Sequence, residues 1–262
     1  MNPAELQRLV QSEARSGVFL SVLGFGVGNY KDSTMERLAD CGNGNYAYVD
    51  TLKEAQKVLV EQMSGTLVVV AKDVKAQVEF NPSTVREYRL LGYEDRTLAP
   101  QDFNNDRKDT GDLGAGHTVT MLYEIAPNDD RSRRSDVDPL RYQPSPRRPI
   151  PGAASDELLT LKLRYQEPDG DVSRLLEFPL TDSGRTYAQA SADFKFASAV
   201  AAFGMVLRAS SYKGSATLGG VRELAGEGIG PDPGGYRQEF LDLVRRAENL
   251  RPPHPPTPTS PR

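Results

Sequence analysis

Few stretches of this chain hold residue types that could do chemistry. Gly24, Gly26 and Gly28 follow an apolar run, where a backbone without side chains could approach a phosphate. The dinucleotide fingerprint needs Gly-x-Gly-x-x-Gly running straight into a helix. Here the third glycine comes one residue early, and Asn29-Tyr30-Lys31-Asp32 intervenes. No Gly-Lys-Ser/Thr is present either, so the pattern reads as a strand-to-helix turn. Asn104, Asn105, Asp106, Asp109, Thr110 and Asp112 gather oxygen ligands of the kind Ca²⁺ prefers. The EF-hand spacing is not met, and Arg107 and Lys108 sit inside the run. It reads as a polar β-turn.

His117 is the one histidine outside the tail. A histidine-based hydrolase needs a nucleophile and an orienting acid beside it. Ser64, Ser83 and Ser173 lie in no nucleophile-elbow sequence, so His117 reads as a hydrogen-bonded residue at a strand start. The rival reading is an enzyme with an unrecognised pocket around 102–117, built from Asp106, Asp109 and His117. It requires those side chains to converge in one concave pocket. Cys41, at a helix end, reads as a quiet structural thiol. Asp193, Lys195 and Arg208, then Arg237, Arg245 and Arg246, read as solvated helix faces or surface ion pairs of small energetic weight. No catalytic, cofactor-binding or metal-ligating residue is assigned.

The elements that would position these residues begin with a helix over 3–16, with Pro3 in its first turn and Leu6, Leu9 and Val10 as its apolar stripe. Val18 to Leu23 predicts a strand buried on both faces, broken into a turn at the glycines. Asp32 or Ser33 caps a helix over Thr34 to Asp40, which ends at Gly42 or Gly44. Tyr46-Ala47-Tyr48-Val49 is a second strand. Thr51 caps a further helix with Leu52, Ala55, Val58, Leu59 and Met63 on one face. Strand and helix in alternation predict a parallel α/β unit.

Ser21 to Tyr30 and Met35 to Asp50 resemble the last part of a von Willebrand factor type A domain. The likeness is to the bacterial YfbK-type proteins, in which a C-terminal domain of unknown function follows. It continues through 71–82, 88–94, 102–106 and 114–125. The resemblance implies an incomplete doubly wound type A domain over 1–65 that keeps only the last two strands and their helices. The family's metal motif, Asp-x-Ser-x-Ser, does not occur: Asp32-Ser33-Thr34 is too short, and Asp182-Ser183 runs into Gly184. No metal residue carries over. A parallel strand without its earlier neighbours leaves the Val18–Leu23 edge bare, which invites pairing with another chain. Four readings stay open: the missing half is supplied separately, the piece leans on the next domain, it folds poorly, or the start is misassigned.

The rest, 66–250, reads as a β-rich antiparallel domain with C-terminal helices. Thr66 to Ala71 is β-rich. Val74, Ala76, Val78 and Phe80 alternate with Lys75, Gln77 and Glu79, as on a half-buried strand. Val85 to Tyr93 and Thr118 to Ile125 are further strands, the second with Val119, Met121, Tyr123 and Ile125 alternating. Residues 127–155, rich in proline and mixed in charge, read as a disordered or loop insertion. Leu159 to Tyr165 and Ser173 to Phe178 form a hairpin about Pro168-Asp169-Gly170, joining the sheet of 66–126. Helices follow from Ala188 (Phe194, Ala197, Val200, Ala201, Met205 and Val206), over Leu218 to Leu224, and over Tyr236 to Leu250 with Phe240, Leu243, Val244 and Ala247 inward. Residues 251–262 are a disordered proline-rich tail.

With 262 residues, 38% of them hydrophobic, the chain can hold one large or two modest domains. A net charge of −4 argues against nucleic acid as a general partner, and aromatic residues do not interleave with basic ones as a base-stacking platform requires. One cysteine allows no internal disulfide. No apolar run is long enough to span a membrane, and the N-terminus has no signal-peptide pattern. Localisation stays open, with the cell envelope one option for full-length relatives. The expected function is a non-enzymatic protein–protein interaction or scaffolding module that binds a protein partner, self-associates through the Val18–Leu23 edge, and lacks the metal-ion-dependent adhesion motif and any cofactor.

Overall fold

The computed structural model describes residues 3–26, 32–63, 65, 68–92, 97–106, 110–128 and 156–250. The expected insertion, beyond its first two residues, and the expected tail lie outside them. The chain divides into two compact units. The first takes Met1–Asn81, Thr97–Val119 and Glu157–Leu180; the second takes Pro82–Arg96, Thr120–Asp156 and Thr181–Arg262.

The first unit opens with helix α1 (Pro3–Ala14), which buries Val10 and leaves Leu9 exposed. Gly17, at a φ of 89°, closes its last turn. Strand β1 (Val22–Phe25) pairs parallel with β2 (Tyr46–Val49), so the expected parallel pairing is present. The strand itself starts later than expected. Val18, Phe19 and Leu20 precede it and are exposed. Leu20 is tied instead to the loop before β2, its N–H donating to Gly42 (2.9 Å). A Cβ on Gly44 would overlap the Leu20 carbonyl, so only glycine permits this approach. The expected burial on both faces fails over Val18–Leu20, and Phe25, at the end of the observed strand, is 60% exposed.

Helix α2 (Asp32–Cys41) packs on β1, β2 and α1. It ends as expected at Gly42, with Asn43 in the left-handed region. Thr51 caps α3 (Leu52–Gln56), its Oγ1 accepting from the Glu54 N–H (3.1 Å). The helix then widens into a π turn, Lys57–Glu61, closed by Gln62 N–H to the Lys57 carbonyl (2.9 Å). The wider turn carries one more residue per hydrogen-bonded loop, so the 3.6-residue stripe cannot hold. Leu59 and Met63 are exposed, and Leu52, on the first turn, is 87% exposed.

The larger sheet of this unit has strand order β5-β3-β7-β8. Its spine is β3 (Val69–Phe80), one long strand where two β-rich pieces were expected. A register shift between Lys72 and Lys75, with Asp73 at a φ of 50°, marks a bulge that joins them. β7 (Glu157–Gln166) pairs antiparallel with β3, as expected of the hairpin, and β8 (Ser173–Thr181) lies outside it. β5 (Gly111–Gly114) pairs with the other edge of β3. It lies partly within the stretch read as a turn. The expected alternation on β3 is wrong at two places: Lys75 is buried at 3% exposure, and Ala76 is exposed.

In the second unit, β4 (Val85–Leu91) and β6 (Leu122–Pro127) form a two-stranded antiparallel ribbon, separate from the large sheet. A single sheet over 66–126 was expected. β6 begins after the expected start, leaving Val119 exposed. Helices α4 (Ala192–Leu207), α5 (Leu218–Glu227) and α6 (Tyr236–Leu250) make this unit's core. Phe203, Val206, Leu218, Val221 and Val244 form one buried cluster; Ala199, Ala225 and Leu241 form another. Phe240 bridges them, with Phe196 and Phe203 edge-on to its ring, centroids 5.3 Å away in each case. Leu241 faces inward where Leu243 was expected; Leu243, Phe194 and Val200 are exposed.

Candidate functional site

The first unit brings the 103–106 turn against β3 and β7. Lys75 and Arg164 are register partners on these adjacent strands. Two cations side by side repel, yet both reach the same turn. Lys75 Nζ donates to the Asn105 carbonyl (2.7 Å), and Arg164 donates to Asn104 Oδ1 (3.0 Å). Arg164 also lies 3.6 Å from Asp106 and over the Phe103 ring. Asp106 accepts from the Ser173 hydroxyl. The start of the oxygen-rich stretch, Asn104 to Asp106, thus meets the protein's own cations. Its far end is structural as well: Asp73 Oδ1 accepts from Thr110 N–H (3.0 Å), and Asp73 N–H donates to Asp112 (3.1 Å). Thr110 Oγ1 and Arg164 Nε are buried with no hydrogen-bond partner.

His117 sits elsewhere in the same unit. It lines a groove of about 240 Å³ with Glu61, Gln62, Gly65, Ala115, Gly116 and Thr118. Its imidazole lies against Gly65, where a Cβ would come within 2.6 Å of the ring. The Gly65 carbonyl in turn lies where a Cβ on Gly114 would fall, so both positions need glycine for this close approach. The His117 backbone N–H donates to the Gly114 carbonyl (3.1 Å), whereas no side-chain bond holds its ring among the described residues. Asp106 is not part of the groove, and Asp109 lies outside the described residues. The structure therefore does not bring Asp106 together with His117. Glu61, which sequence reasoning passed over, is the carboxylate that shares the groove; a π turn places it there, and no local pattern announces one.

The second unit has a cavity of about 300 Å³ beside α5, lined in part by Ser215, Thr217, Glu223 and Glu227. Glu227 pairs with Lys195 (3.6 Å), and Lys195 stands over the Tyr187 ring. Partial burial, then the charge and hydrogen bond of Glu227, push the Tyr187 phenol up. Asp193 pairs with Arg237, and Arg245 with Asp242, ion pairs as expected for those faces. Cys41 is a free, half-buried thiol that accepts from Gln7 Nε2 (3.2 Å). Among the described residues there is no group of three or more His, Cys, Asp or Glu side chains able to hold a metal ion, and no helix long and apolar enough to cross a membrane.

Against known proteins, residues 65–250 match the family model described as "Uncharacterized protein YfbK, C-terminal". The chain is 45% identical over 252 residues to the "Uncharacterized protein YfbK" of Escherichia coli (strain K12), a match covering 95% of this chain and 42% of that protein. It thus spans less than half the length of that relative. No solved structure matches.

Proposed function

The chain belongs to the YfbK family, and from that premise we propose that it is a non-enzymatic protein–protein interaction or scaffolding module. In this reading 1–65 is the closing part of a von Willebrand factor type A domain without a metal-ion-dependent adhesion motif. The family match opens at residue 65, which supports a division there, with 66–250 as the β-rich and helical domain.

One observation carries the proposal. Parallel strands are ordinarily covered on both faces and flanked by neighbours. Here β1 has only β2 beside it among the described residues. Phe25 on it, and Val18, Phe19 and Leu20 leading into it, are exposed. An apolar strand edge of this kind templates pairing with another chain. The edge lies at Val22–Phe25 rather than Val18–Leu23; Val22 and Leu23 are half-buried, and the uncovered apolar surface is Phe25 with Val18, Phe19 and Leu20 before it.

Sedimentation velocity over a range of protein concentrations tests it. The full chain is expected to self-associate as concentration rises, and Phe25→Asp to shift the population to monomer. A chain monomeric throughout, with Phe25→Asp indistinguishable, overturns the reading.

A further inference from the structure

We draw no further inference here: the strongest candidate, the outer strand β8 of the four-stranded sheet, exposes Leu175, Leu176, Phe178 and Leu180, and nothing in the structure shows what covers them.

Discussion

Lys75 shows how one side chain departs from its pattern for a physical reason. Its place between Val74 and Ala76 suggests a solvent-facing position, yet its ammonium is buried against the Asn105 carbonyl. That acceptor is 30 residues away in sequence, so no local pattern could reveal it. Desolvating an ammonium beside another cation costs more than one carbonyl bond returns. Lys75→Met, which keeps the stem's packing, is expected to leave stability within about 1 kcal/mol of the parent or raise it. Lys75→Ala, which empties the site, should lose roughly 2 kcal/mol. Urea midpoints of the two variants check this; equal losses would show that the charge itself stabilises the fold. Asp232 gives a pH prediction. Partial desolvation pushes its carboxyl up. Backbone N–H groups of Gln238, Arg237 and Tyr236, with the Arg237 charge, outweigh that and hold it below the ordinary value of 3.8. Gln238 N–H reaches Asp232 Oδ2 at 2.9 Å, at the start of α6. A folded pKa below the unfolded one stabilises above the unfolded value and is lost as pH falls through the folded one. Loss of stability with acid should therefore be less steep for Asp232→Asn than for the parent as pH falls from the ordinary value of 3.8 through the lower folded one. A carboxyl NMR titration at or above the ordinary value would contradict the assignment.

At the scale of elements, the helical core of the second unit turns on Phe240. It touches both buried clusters and meets two phenylalanine edges. Phe240→Ala is expected to cost about 3 kcal/mol, the low end for a phenylalanine that is only half-buried. Thermal unfolding followed by near-ultraviolet circular dichroism reads the loss; an unchanged midpoint would show that the helices do not depend on this contact. These helices were legible because their signals are local: Leu218, Val221 and Leu224 recur at helical spacing along α5. Tyr46–Val49 and the Thr51 cap were legible for the same reason. Three things were not. The bulge at Asp73 is set by side-chain bonds to a segment 37 and 39 residues away. The π turn at Lys57–Glu61 looks in sequence like any continuing helix. β5, Gly111–Gly114, has turn-type residues and is a strand only because β3 runs alongside it. The pocket shared by Glu61 and His117 was hidden by the second of these, since its carboxylate sits on the unannounced turn.

At the scale of the whole molecule, several acidic groups among the described residues are spent on internal bonds, and none of the described ones gather into a cluster able to hold a cation. Asp73 and Asp112 accept backbone N–H groups, Asp106 accepts from Ser173 and lies near Arg164, and Asp32 accepts from Tyr46. A hard divalent cation needs several oxygens free to turn toward one point, and an oxygen already fixed by a donor must lose that bond to ligate. The sequence contains no Asp-x-Ser-x-Ser run. This chain is therefore expected to take up no Mg²⁺ or Ca²⁺ at a type A site. Isothermal calorimetry of the full chain should give only dilution heats with either ion, and the self-association measured by sedimentation should not change when EDTA replaces Mg²⁺. Stoichiometric, tight Mg²⁺ uptake would refute the proposal that the adhesion motif is lacking. EDTA-sensitive self-association would show instead that any edge pairing runs through a metal, not through the apolar rim of β1.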